Sequence, residues 1–292
     1  MKVCIKNNDI VIENATDFKL SDIFDCGQCF RFNPDDDGGC IGTAYDKTVR
    51  ITQNGDTVTL HNTSEADFDS VWRRFLDLDR DYTVIKKELT KGSDAVMANA
   101  IDYGKGIRIL KQDLWETIVS FIISASNNIP RIKKIIESLC FYFGTAHIYE
   151  GQTYYSFPDA KTIASLTHEE LDVIKAGFRT KYILSASKAV ANNEFNLDIL
   201  YDLSTADAKR ELLKLNGVGN KVADCITLFA LNRFDSFPVD VWIKRIMEYC
   251  YFENKPQQIS TISQFANDKF GELGGIAQQY LFYYARSLKI GT

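Results

Sequence analysis

Lys221 stands two residues after Gly219 in the run Leu215-Asn216-Gly217-Val218-Gly219-Asn220-Lys221, where one helical pattern stops and another begins. Two glycines so close permit positive φ and leave the neighbouring backbone N–H groups uncovered. A helix starting directly behind them points its free donors and partial positive charge outward, an arrangement suited to a phosphate. A plain helix–helix corner with glycines at its C-cap fits the same residues. Asp240, within Pro238-Val239-Asp240-Val241-Trp242, occupies the N-cap position of a further helix. It follows Lys221 by 19 residues, the length of one helix and one loop, so both side chains can reach one cleft. An amine and a carboxylate placed together suit covalent catalysis. The neutral amine attacks an electrophilic carbon, and the carboxylate stabilises positive charge that develops beside it.

The elements that must hold this pair are helical. Asp113 precedes a predicted helix over 114–124, and Pro130 takes an early position ahead of 132–143. Thr167-His168-Glu169-Glu170 is a capping-box pattern opening a helix that stops at Gly177. Ser204, with Asp207 three residues on, opens another that runs to Lys214. Helices over 221–231, 241–251, 261–270 and 278–288 follow from the apolar spacing. The first 62 residues read differently. Val3-Cys4-Ile5, Ile10-Val11-Ile12, Cys29-Phe30-Arg31-Phe32, Val49-Arg50-Ile51-Thr52 and Thr57-Val58-Thr59-Leu60 are short β-type runs separated by turn residues. Asn54-Gly55 between the last two is a hairpin cue.

Gly-Val-Gly-Asn-Lys followed by Pro-Val-Asp resembles the hairpin and catalytic signature of the helix-hairpin-helix DNA glycosylases. The resemblance covers nearly the whole chain. It implies an α+β protein: an N-terminal antiparallel β-sheet (TBP-like) domain with flanking helices over 1–105, then an all-α helix-hairpin-helix domain over 106–292. By the same resemblance, Gly217 and Gly219 grip the phosphate backbone of double-stranded DNA, Lys221 attacks the sugar, and Asp240 is indispensable. Superfamily members without this lysine use water and only remove the base, so Lys221 implies strand nicking as well.

Other motifs resemble the 8-oxoguanine branch. Gly27-Gln28-Cys29-Phe30-Arg31 is similar to that family's Gly-Gln-x-Phe-Arg stretch, whose glycine carbonyl accepts the N7–H that distinguishes 8-oxoguanine from guanine. A glycine at a strand bend is the plainer reading of Gly27. Ala277-Gln278-Gln279-Tyr280-Leu281-Phe282 matches Ala-Gln-x-x-Leu-Phe, which implies that Gln278 bonds the base edge and Phe282 stacks on its ring. Cys225, one helical turn past Lys221, completes the implied base pocket. Ser124-Ala125-Ser126-Asn127-Asn128-Ile129-Pro130-Arg131 resembles the loop that fills the hole left by the flipped base, and Gly177-Phe178-Arg179 resembles a second such element. Asn127, Asn128, Arg131, Phe178, Arg179 and Trp242 are therefore expected at the DNA. Ser126, Phe178 and Trp242 depart from the Asn, Tyr and His of eukaryotic relatives, which bears on how strictly cytosine is required opposite the lesion. The resemblance implies no cofactor and a monomer. No Cys follows Cys250, so the iron–sulfur loop of the endonuclease III branch is missing. An alkylated-purine glycosylase of the same fold would lack Lys221, and a DNA-binding module without catalysis would not require Asp240.

Bulk composition is permissive rather than decisive. Net charge is −5, yet residues 1–105 hold 13 basic and 19 acidic side chains while the remainder holds 21 and 20. The acidic excess thus lies outside the candidate site, and phosphate binding depends on local charge and aimed donors. Seven cysteines, odd in number and without pattern, suit a reducing cytosol or nucleus. Cys26 and Cys29 have metal-like spacing with no partner pair. Met1 to Lys6 turns polar at once, without a signal-peptide core, and no stretch is apolar enough to enter a membrane.

Overall fold

The computed structural model describes residues 1–288. Strands β1 (Lys2–Lys6), β2 (Asp9–Glu13), β3 (Phe32–Pro34), β4 (Cys40–Ala44), β5 (Lys47–Asn54) and β6 (Thr57–His61) form one antiparallel sheet in the order β1-β2-β6-β5-β4-β3. Asn54 pairs with Thr57 across the two-residue turn Gly55-Asp56, in which Gly55 alone takes positive φ, +56°, so the hairpin forms with Gly rather than Asn at the first central position. Alternation sends Ile10, Ile12, Val49, Ile51, Val58 and Leu60 to one buried face. Phe68, Trp72 and Phe75 from the helical stretch after β6 cover that face. Phe32 closes the cluster, stacked on Phe24 at 4.3 Å and on Phe75 at 5.4 Å.

Of the run Cys29-Phe30-Arg31-Phe32, only Phe32 lies in a strand. Phe30 packs edge-on to Phe121 at 5.7 Å, and Arg31 reaches Glu116. Burial against the helices overrides the β propensity of both residues. β4 carried no clear sequence mark because Gly42 interrupts its apolar alternation. A Cβ there would lie 2.4 Å from the Phe32 ring.

Helices Leu114–Ser124, Ile129–Phe143, Thr180–Ala191, Thr205–Leu212, Asn220–Phe229, Val241–Tyr251, Ile259–Phe270 and Gly274–Ser287 surround a second buried cluster. Ala95–Tyr103 packs against the Gly274–Ser287 helix. Asp113, Ser204 and Asp240 cap their helices by accepting a first-turn N–H, and Thr167 and Glu170 close a full capping box. The helical half also holds a hairpin of β7 (Ala146–Tyr149) and β8 (Gln152–Tyr155). That hairpin and the Thr180–Ala191 helix escaped the sequence reading; the helix begins without a side-chain cap. Among the described residues, no helix is long and apolar enough to cross a membrane.

The segment from Asp25 to Arg31 joins the two clusters. Cys26 belongs to the helical core and Cys29 to the sheet core, so the two thiols point in different directions. Gln28 is fully buried. Its Nε2 donates to the carbonyls of Ile23 at 2.9 Å and Arg108 at 2.8 Å, and its Oε1 accepts from Leu110 N–H at 2.9 Å. Arg31 Nη1 lies 3.4 Å from Glu116 Oε2, and its guanidinium also donates to the Tyr155 carbonyl.

Burial pushes the Glu116 carboxyl up to about 7, against the pull of Arg31. Because this value is raised above the ordinary 4.5, the stability it contributes is fully present below pH 4.5 and is lost as pH rises through about 7. Thermal melts across that window test the effect. The Glu116→Gln variant is expected to match wild type at low pH, where Glu116 is neutral as well, and to be the more stable of the two above about pH 7. It should also shed the Glu116 part of the wild-type decline, up to about 3 kcal/mol. Parallel pH profiles for the two proteins would refute the assignment.

Candidate active site

The hairpin is built as its glycines suggest. The Thr205–Leu212 helix ends, Val218 N–H returns to the Leu215 carbonyl at 3.1 Å, and Asn220–Phe229 begins with Gly219 as N-cap. Leu215 and Val218 are buried and anchor the turn. The glycines serve different ends. Gly217 has φ +88°, and a Cβ there would meet Tyr182 Cβ at 2.7 Å and Cγ at 2.9 Å. Gly219 has an ordinary φ of −99°, and its missing Cβ would point into open space. No side chain caps the first turn of this helix, so its leading N–H groups stay exposed beside Gly219. Lys209 on the first helix pairs with Asp224 on the second, fixing the angle between them.

Lys221 lies half-buried in that first turn. Its Nζ is 5.2 Å from the centroid of the Phe121 ring, and its charge acts on the Cys225 thiol one turn on. Burial pushes Cys225 up to about 11; Lys221 pulls it down, while Asp224 and Asp240 push it further up. The thiol therefore feels the charge of both the amine and the Asp240 carboxylate. Asp240 is the N-cap of Val241–Tyr251, with Oδ1 accepting from Ile243 N–H at 2.8 Å, which fixes its rotamer. Trp242 follows, half-buried, with the Arg245 guanidinium 5.5 Å from its ring centroid.

The expected base-reading residues also converge. Gly27 takes φ +78°, and a Cβ on it would lie 3.1 Å from the Phe282 ring and 3.5 Å from Ile129. Any other residue there would be strained and would strike Phe282. Gln278 is 5% exposed, and its Oε1 is buried without a hydrogen-bond partner. An orphan acceptor of this kind costs about 1–3 kcal/mol. Its neighbour Gln279 is 2% exposed and donates to the Cys26 carbonyl at 2.6 Å. Gln279 is marked in the sequence only as a second amide in the apolar run from Ile276 to Leu281, and its role shows only in the fold. Phe121 was missed as well, and nothing distinguished it from other apolar residues of its helix.

The two loops expected at the DNA lie side by side. Asn127 Nδ2 donates to the Ile123 carbonyl, Asn128 Oδ1 caps the Ile129–Phe143 helix, and Arg131 is exposed. Gly177 comes within 4.0 Å of Arg131 Nη2, measured from its would-be Cβ. Phe178 is 57% exposed, with Tyr182 edge-on at 6.3 Å and the Arg179 guanidinium 4.3 Å from its ring centroid. Arg179 corrects the expectation of a DNA-facing side chain. It is 2% exposed, and its guanidinium donates to the carbonyls of Ala125, Ser126 and Ala176. With three carbonyls engaged, Arg179 braces the Ala125–Ser126 turn, where Ser126 sits at φ +51°.

Comparison with known proteins places this geometry. Residues 10–118 match the model of the 8-oxoguanine DNA glycosylase N-terminal domain, and residues 119–269 match that of HhH-GPD superfamily base excision DNA repair proteins. A solved structure of MBOgg1 with a low-affinity DNA ligand is 45% identical, covers 98% of each chain and superposes with a TM-score of 0.95. The Clostridium acetobutylicum 8-oxoguanine glycosylase/lyase, solved with double-stranded DNA bearing cytosine opposite 8-oxoguanine, is 41% identical over 99% of both chains, with a TM-score of 0.95. An N-glycosylase/DNA lyase of Arabidopsis thaliana is 27% identical over 91% of this chain and 77% of its own. The chain belongs to the helix-hairpin-helix superfamily of base excision DNA repair proteins and, within it, to the 8-oxoguanine glycosylase family.

Proposed function

We propose that this protein, acting as a monomer on double-stranded DNA, turns 8-oxoguanine out of the helix, excises it and then nicks the strand through a Schiff base on Lys221. The observation that carries the reading is that the helix bearing Lys221 in its first turn is followed directly by the helix that Asp240 caps, with the buried Cys225 thiol feeling both side chains. Lys221 touches Phe121, and Phe121 touches Phe30, three residues from Gly27. Nucleophile and base-reading segment thus share one packed unit.

The chemistry follows from these groups. The neutral Lys221 amine forms a bond to C1′ as the bond from C1′ to the base breaks. The electron pair leaves with the base, which takes up a proton. Asp240, held by its helix cap, stabilises the cationic character that the sugar acquires. The sugar ring opens to a protonated Schiff base, C2′ gives up a proton, and the 3′ phosphate departs by β-elimination. Base selection rests on the Gly27 carbonyl accepting N7–H, on Gln278 bonding the base edge, and on Phe282 stacking. Guanine presents a lone pair to the same carbonyl, which would leave it unpaired. Gly217, Gly219 and the exposed helix donors grip a phosphate. Asn127, Asn128, Arg131, Phe178 and Trp242 line the DNA face around the vacated site. No cofactor takes part in these steps. Work on chromosomal DNA places the protein in a nucleoid or a nucleus.

Borohydride trapping on an end-labelled duplex with one 8-oxoguanine opposite cytosine tests the reading. Wild type should give a covalent protein–DNA adduct, Lys221→Gln none, and Asp240→Asn base excision slower by about 100-fold. Excision without any adduct would remove Lys221 from the nucleophile's role.

The two hairpin glycines should separate under mutation. Gly217→Ala is expected to lower stability by about 1–3 kcal/mol through strain and collision with Tyr182. Gly219→Ala should leave the melting temperature nearly unchanged yet weaken duplex binding about tenfold, by masking phosphate donors. Equal effects on stability and binding in both variants would contradict this division of labour.

A further inference from the structure

We propose that Gln279 is a positioning residue that aims the Gly27 carbonyl at the lesion, and so sets discrimination between 8-oxoguanine and guanine; this rests on the substrate reading above. The carbonyls on either side of Gly27 are all taken. Asp25 accepts from Arg286, Cys26 accepts from Gln279 Nε2 at 2.6 Å, and Gln28 accepts from Gln112 Nε2 at 2.7 Å. Among the described residues no donor reaches the Gly27 carbonyl, so it alone of the four is left for a ligand.

A carbonyl on a glycine is hard to aim. Gly27 lacks the side chain that would restrict φ and ψ, and it sits at φ +78°. Its direction must therefore be imposed by the peptide planes on both sides. The Cys26 carbonyl and the Gly27 N–H share one plane, and Gln279 pins that plane from a position 2% exposed to solvent. On the other side, the Gln28 carbonyl is held by Gln112 and the Gln28 side chain by Ile23, Arg108 and Leu110. Gln279 occupies the same helix as Gln278 and Phe282. The element that stacks on the base and bonds its edge also fixes the carbonyl that reads N7. Burying an amide here is stabilising only while its bond to Cys26 is made.

The test uses the Lys221→Gln background, in which binding is read without turnover. Affinities are measured for duplexes carrying 8-oxoguanine, guanine or a tetrahydrofuran abasic analogue, each opposite cytosine. Gln279→Leu is expected to reduce the preference for 8-oxoguanine over guanine about tenfold, while affinity for the abasic duplex, with no base to read, stays within about twofold. An unchanged preference, or a parallel loss on all three duplexes, overturns the proposal. Gln279→Glu guards against a folding failure of the leucine variant. Its introduced carboxyl, raised by burial, donates to the Cys26 carbonyl only when protonated, so preference should recover as pH falls from about 8 to about 6. A preference independent of pH in that variant overturns the role. A Lys221→Gln protein without preference for 8-oxoguanine refutes the substrate reading itself, and the positioning role with it.

Discussion

A buried primary amide costs stability unless its N–H groups and its oxygen are paired, and Gln28 is fully paired at the seam between the two cores. Its partners are Ile23 on the preceding helix and Arg108 and Leu110, on a segment that feeds both cores, with Ile107 and Ile109 in the helical one and Leu110 in the sheet one. Residues 106–112 thereby become a polar spine. Gly106 bonds Lys19 and Asp22, and Arg108, 1% exposed, gives its guanidinium to the carbonyls of Asp17, Leu76, Asp77 and Arg80. Gln112 N–H reaches the Phe229 carbonyl at the end of the Asn220–Phe229 helix. The helix that carries Lys221 in its first turn thus ends on the segment that holds Gln28. Small displacements of one are transmitted to the other through hydrogen bonds rather than through loops.

An apolar path runs alongside. Phe30 meets Phe121 edge-on, Phe121 stacks on Phe229 at 5.5 Å, and the same Phe121 ring lies beneath Lys221. Aromatic contacts of this geometry resist rotation because each ring fills the volume its neighbours leave. Positioning of the amine therefore does not depend on a single contact. It follows from the packing of three rings that also set where Gly27 can lie.

What could be read from the chain divides along the range of the interactions. Caps at Asp113, Thr167, Ser204 and Asp240 are contacts over three residues, so local order announced them. The Lys221 and Asp240 pair was legible for the same reason, since one capped helix and one loop separate them. Phe30 and Arg31 look like strand residues locally, and only their burial against Phe121 and Glu116 excludes it. Arg179 shows the same limit. An arginine beside an exposed Phe178 reads as a DNA contact until the unpaired carbonyls of Ala125 and Ser126 are seen to claim it.

Hydrogen-bond accounting then separates residues that hold the site from residues that work in it. Gln28, Gln279 and Arg179 are buried with their donors engaged. The Gln278 oxygen is buried and empty, and the leading N–H groups behind Gly219 have no side-chain cap. Unpaired groups cost stability in the free protein, and a fold that pairs Gln279 while leaving the adjacent Gln278 open has not simply run out of partners. The unpaired positions coincide with the places where the proposed substrate offers a base edge and a phosphate. The free-state cost of the buried Gln278 oxygen is removed only when a donor arrives, so part of the binding preference is carried by what the unliganded protein leaves unsatisfied.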